Sequence, residues 1–65
     1  MIYGKYTILT DSNQLKVSIY EKQEGKEEAK TLENGKQFKS RVDLDLFIGK
    51  FAQDHKGESI TFLGG

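Results

Sequence analysis

The chain has 65 residues, and its ten basic and ten acidic side chains give a formal net charge of zero at pH 7. A chain of this length forms a single small domain, residues 1–65, and the charge balance disfavours nucleic acid as its main ligand, because phosphate-binding domains are normally basic. The sequence has no cysteine, no apolar run near the ~20 residues of a membrane span and no signal-peptide pattern, so we expect a cytoplasmic protein without disulfides, thiolate metal sites or membrane contact.

The first third of the chain predicts a β-hairpin. Apolar and polar residues alternate in residues 2–9 and again in residues 15–21, which is the pattern of half-buried strands. Between them, the side chains of Asp11, Ser12 and Asn13 can accept hydrogen bonds from nearby backbone, which favours a turn. Two strands that follow each other in sequence across a short turn usually pair as a hairpin.

A third strand is predicted over residues 29–33, after a polar loop. The dipeptide Asn34-Gly35 follows it and is typical of a type I′ turn, because both central residues of that turn need a positive φ. Such a turn places Glu33 opposite Lys36 as a pair of unlike charges. The sequence therefore predicts that the chain reverses at this dipeptide.

Residues 40–57 carry the one clear helical pattern. Their apolar side chains recur at i, i+3, i+4 and i+7 from Leu44 to Phe51, so they line one face of a helix that needs an apolar partner surface. Ser40 or Asp43 can cap the start of this helix, since a side-chain oxygen at that position accepts an unpaired backbone N–H.

Residues 58–63 predict a last strand, with Ile60 and Phe62 facing inwards. The element order is then β-β-β-α-β, and the last strand joins an edge or pairs with the first. The predicted fold is α+β: a small antiparallel sheet of three to four strands with one helix packed on one face. The predicted core comprises Ile8, Leu15, Val17, Ile19, Leu44, Phe47, Ile48, Phe51, Ile60 and Phe62.

The sequence offers no credible active site. His55 is the only histidine, and its neighbour Asp54 does not face it on a helix, so we expect His55 to favour the helix C-terminus rather than to act as a base. Asp43 and Asp45 have the spacing of some metal sites, but on a helix they point about 200° apart. We therefore predict a protein that is not an enzyme and that uses no metal and no cofactor.

Two sets of residues are candidate binding surfaces. The first set suits a protein partner, either a host protein or a second copy of this chain joined through a sheet edge, because its aromatic and apolar side chains lie outside the predicted core. These residues are Tyr3, Tyr20 and Leu46. The alternative is nucleic acid, since aromatics on an open sheet face stack bases and cations hold phosphates. The residues of that alternative are Tyr3, Lys5, Lys16, Tyr20, Lys36, Lys39 and Arg41.

Gly64 and Gly65 directly follow the last predicted strand. This ending resembles that of ubiquitin-like modifiers and of the sulfur carriers of thiamin and molybdopterin synthesis, and the resemblance covers residues 57–65. It implies a further alternative, in which an activating enzyme modifies the carboxylate after Gly64 and Gly65. The tail that such proteins usually have between strand and Gly-Gly is missing here.

The hairpin with a polar tip, the short strand and the helix together resemble a pattern of small phage and mobile-element proteins. The residues that carry this resemblance are residues 15–22, Gly25, Lys26, Phe38, Lys39, Ser40 and residues 44–51. The arm-binding domains of tyrosine recombinases, in which a three-stranded sheet backed by a helix reads DNA, are similar. The resemblance implies a phage-like accessory protein that binds a host protein and blocks or redirects it.

Overall fold

The computed structural model describes residues 4–64, which form four strands and one helix. The elements are β1 (Tyr6–Asp11), β2 (Lys16–Glu21), β3 (Lys30–Gln37), α1 (Arg41–Asp54) and β4 (Ile60–Gly64). The predicted α+β class and the predicted element order are confirmed. Ile2 and Tyr3, which the sequence predicts in the first strand, lie outside the described residues.

The four strands form one sheet in the order β3-β2-β1-β4. β1 and β2 pair antiparallel, as do β2 and β3, whereas β4 runs parallel to β1. The sheet is therefore mixed rather than wholly antiparallel. The reason is the crossover helix: β3 ends at the same end of the sheet as β1, and α1 carries the chain back to the other end before β4 begins.

The predicted turn at Asn34-Gly35 is wrong, because β3 continues through it. Of the two residues only Gly35 has a positive φ, 66°, where a type I′ turn needs two. The register of β3 against β2 shifts at this point, and Ser18 Oγ accepts the Gly35 N–H at 2.9 Å, so the glycine serves a β-bulge. Glu33 and Lys36 pair with different residues of β2 and do not face each other.

The core lies between the helix and one face of the sheet, which we call the helix face. The buried apolar residues are Tyr6, Ile8, Val17, Ile19 and Leu44. Partly buried residues pack against them: Leu15, Phe38, Phe47, Ile48, Phe51 and Ile60. The predicted core is wrong for Phe62, whose side chain is 57% exposed, and it omits Tyr6 and Phe38.

The path of α1 explains why Phe62 is exposed. The first half of the helix lies beside the end of β3, where the ring of Phe47 is 5.2 Å, between centroids, from the ring of Phe38 just after the strand. The helix ends beside the start of β1, where the rings of Phe51 and Tyr6 lie 5.3 Å apart. The helix therefore crosses the sheet diagonally from β3 to β1 and does not cover the far end of β4.

Both ends of α1 are capped locally. Ser40, one of the two predicted N-caps, accepts the Asp43 N–H at its Oγ over 3.2 Å. At the other end the His55 N–H donates to the Phe51 carbonyl at 3.0 Å. These bonds satisfy backbone groups that have no partner within the helix.

Candidate interaction surface

β4 is an edge strand that pairs with β1 on one side. The Tyr6 N–H donates to the Ser59 carbonyl at 3.0 Å, and the register sets Tyr6 beside Ile60. In a parallel ladder Tyr6 bonds not to Ile60, which lies opposite it, but to the residues before and after Ile60. The N–H and C=O groups of Ile60, and of Phe62 two positions later, therefore point away from the sheet. Within residues 4–64 no strand pairs with this outer edge.

Apolar side chains flank this edge on both faces of the sheet. Phe62 lies on the helix face, in register with Ile8. Leu63, 39% exposed, lies on the opposite or open face, beside Leu9, which is 44% exposed. We call Leu9, Phe62 and Leu63 the β4 surface. Sequence reasoning missed this surface, although two consecutive apolar residues in a strand place one apolar side chain on each face.

The structure separates the residues predicted to bind protein. Tyr20 is half-buried on the open face, where it pairs with Thr7 and lies diagonal to Leu9. Leu46 is 66% exposed on the solvent side of α1, and Tyr3 lies outside the described residues. Tyr20 therefore adjoins the β4 surface, whereas Leu46 lies on the other side of the molecule.

The residues of the nucleic-acid alternative are also divided between the two faces. Lys16 shares the open face with Tyr20, since both are at alternate positions of β2. Lys36 is on the helix face, where its Nζ lies 5.6 Å from the ring centroid of Phe47. Lys39 follows β3 and is exposed. The structure does not bring these cations together in one groove.

Two further cations of that alternative have acidic neighbours. Arg41 donates from its Nε to Asp45 at 3.0 Å, and the Lys5 Nζ lies 3.9 Å from a carboxylate oxygen of Glu58. Both pairs are exposed, so each contributes little to stability. They nevertheless reduce the positive potential that a phosphate would meet at these sites.

His55 packs at the end of α1. Its Nδ1 lies 2.8 Å from the Phe51 carbonyl oxygen, its ring stacks on Phe51 with centroids 4.0 Å apart, and Tyr6 contacts it edge-on at 4.6 Å. These contacts give His55 a structural role at the helix C-terminus. In the described part of the chain, no three His, Asp or Glu side chains lie close enough together to hold a metal ion.

Tyr6 joins the helix to the start of β1. Burial raises the pKa of its phenol above the usual 10.0, and a hydrogen bond to Glu21 together with the negative charges of Glu21 and Glu58 raises it further. The phenol is therefore neutral at physiological pH.

Gly64 has a packing role within β4. Its φ is +83°, and a Cβ at this position would collide with the carbonyl oxygen of Thr10 on β1. This close approach explains a glycine here without any activating enzyme. Gly65, the other residue of the predicted conjugation site, lies outside the described residues.

No protein-family model, no curated protein and no solved structure matches the chain. The one helix of residues 4–64, α1, is too short and too polar to cross a membrane. The β4 surface combines open backbone groups with exposed apolar side chains.

Proposed function

We propose that this chain is a small non-enzymatic interaction module that binds another protein at the β4 surface. The observation that carries the proposal is the outer edge of β4, where the backbone groups of Ile60 and Phe62 point outwards between exposed apolar side chains. An extended segment of a partner can add to such an edge through main-chain hydrogen bonds, while side-chain contacts select the segment. The exposed apolar side chains beside the edge give such a segment apolar area to bury.

Two classes of partner fit this surface: a host protein, which the resemblance to small phage accessory proteins suggests, and a second copy of this chain joined through the same sheet edge. Tyr20 adjoins the β4 surface on the open face and extends the area that such a partner can cover. Leu46 lies elsewhere, on α1, so it belongs to a separate surface.

The test compares variants of the immobilised chain for the proteins they retain from a bacterial lysate, identified by mass spectrometry. Phe62→Lys places a charge at the β4 edge and should abolish retention. Leu32→Lys is the matched control, because Leu32 is an exposed leucine, 37% accessible, on the opposite edge strand. Leu46→Lys measures the separate surface on α1. The proposal fails if the wild-type chain binds neither a lysate protein nor a second copy of itself in a way that Phe62→Lys abolishes.

A gel shift with single- and double-stranded DNA tests the nucleic-acid alternative alongside. Binding to phosphate weakens steeply as salt rises, whereas apolar and main-chain contacts depend on it less. DNA binding that is lost with Lys16→Ala and with rising salt would favour the alternative over the β4 surface.

A further inference from the structure

We propose that the segment added to the β4 edge is β4 of a second copy of this chain, paired antiparallel about a two-fold axis at Phe62. The two four-stranded sheets then form one continuous sheet across the dimer. This inference rests on the proposed function, because it names the occupant of the same edge. It is carried by the backbone direction, the side-chain pattern and the charge of β4.

The backbone of β4 is self-complementary in this register. With the axis at Phe62, Phe62 faces Phe62 of the second copy and Ile60 faces Gly64, so the whole strand Ile60–Gly64 overlaps its copy. The N–H and C=O of Ile60 and Phe62 point outwards, and by the same alternation so does the N–H of Gly64. Antiparallel pairing requires outward-pointing residues to face each other, and this register meets the requirement.

The side chains match on both faces. On the helix face the two Phe62 rings become direct neighbours, with their Cβ atoms about 5 Å apart, and aromatic cross-strand pairs stabilise a sheet. On the open face Leu63 faces Thr61 of the second copy, so the β4 surfaces of the two copies become continuous. The dimer thus covers Phe62, which α1 leaves 57% exposed in the single chain.

The charge pattern also suits a second copy. A two-fold axis pairs β4 with an identical strand, so charged residues on such a strand can meet residues of the same charge across the axis. β4 has the sequence ITFLG and no charged residue. Pairing with itself therefore brings no like charges together within the strand.

The other edge of the sheet prevents open-ended assembly. β3 has two register shifts against β2 and carries Lys30, Glu33 and Lys36, features that keep an edge strand from accepting another chain. With β3 blocked, β4 can pair only with another β4, and the assembly closes as a dimer rather than growing into a fibre. A small domain without disulfides also gains stability from such an association.

Sedimentation equilibrium of the wild-type chain, from about 10 µM to about 1 mM, should show a concentration-dependent change from 7.4 kDa to twice that mass. Phe62→Lys should weaken the dimer roughly tenfold or more, because it removes an aromatic pair and sets like charges face to face. Leu32→Lys on the β3 edge should leave the mass unchanged. Circular dichroism establishes that both variants are folded.

A charge-swap mixture tests the register directly. Phe62→Lys and Phe62→Glu should each be monomeric alone, and an equimolar mixture should form a heterodimer, because residue 62 faces residue 62. A wild-type chain that stays monomeric to about 1 mM, or a dimer that Phe62→Lys leaves intact, would overturn the dimer. A monomeric chain whose β4 amides are still protected by a different protein would overturn the dimer alone and leave the proposed function standing.

Discussion

The two edges of the sheet meet solvent in different ways. β3, at one edge, shifts register twice against its neighbour and contains Lys30, Glu33 and Lys36. β4, at the other edge, pairs with β1 residue by residue without a shift and is uncharged. Bulges and charges discourage pairing with another chain, whereas a regular apolar edge permits it. The sequence of β3 thus protects one edge of this sheet, whereas β4 has neither bulges nor charges.

The helix reinforces this difference. α1 starts beside β3 and ends beside β1, so it covers the part of the sheet that holds the buried core. α1 does not cover the far end of β4, so Phe62 is exposed although its side chain lies on the helix face of the sheet. Substitutions under the helix should therefore cost folding stability, while substitutions of the exposed Phe62 side chain should mainly weaken the proposed association.

The largest effect is expected under the helix. Leu44 is fully buried, so Leu44→Ala should lower the free energy of unfolding by about 2–5 kcal/mol, a large share of the stability of a small domain. Leu46→Ala is the matched control, since Leu46 lies on the same helix and is 66% exposed; it should change stability by less than about 0.5 kcal/mol. Urea denaturation followed by circular dichroism measures both. Equal losses would mean that α1 does not pack through Leu44.

A smaller effect should separate the two edges themselves. Gly35 in β3 and Gly64 in β4 both have a positive φ, so alanine at either position brings backbone strain of about 1 kcal/mol. A Cβ at Gly35 meets nothing within 4 Å, whereas at Gly64 it collides with the Thr10 carbonyl oxygen. Gly64→Ala should therefore destabilise the chain more than Gly35→Ala and should also speed amide exchange in β4. The reverse order would show that the bulge in β3 is the more constrained of the two sites.

The elements of this fold could be predicted because their causes are local. The helical spacing from Leu44 to Phe51 and the capping hydroxyl of Ser40 are visible in the sequence, as is the alternation along β2. The bulge at Gly35 could not be predicted in the same way. A positive φ at glycine serves a turn or a bulge equally well, and the choice depends on pairing with β2, where Ser18 accepts the Gly35 N–H.

The candidate surface was harder to predict than the fold. Alternation correctly places Phe62 on the helix face, but its burial depends on where α1 crosses the sheet, which is a property of the whole fold. Which strands form the edges depends on the strand order, and no local pattern specifies that β4 joins β1 in parallel. The sequence predicts that Tyr20 and Leu46 lie off the core, whereas their placement on opposite sides of the molecule follows only from the structure.

The smallest effect on stability is expected at Tyr6. This residue lies between α1 and β4, since its ring contacts Phe51 of α1 and its backbone pairs with Ile60. Its phenol has a pKa raised above 10.0, first by burial and then by Glu21 and Glu58. Well below pH 10 the phenol is neutral in both the folded and the unfolded chain; as the pH approaches and passes 10 the unfolded chain loses its proton first, so stability falls. The Tyr6→Phe variant has no phenol proton to lose, so its free energy of unfolding should decline less steeply than that of the wild-type chain between about pH 8 and about pH 11. Urea denaturation across this pH range measures both. Glu21→Gln should also flatten the decline, because it removes a negative charge that raises the pKa of Tyr6. If the free energy of unfolding of Tyr6→Phe declines as steeply as that of the wild-type chain, the loss of stability at alkaline pH arises from the ionisation of a group other than Tyr6.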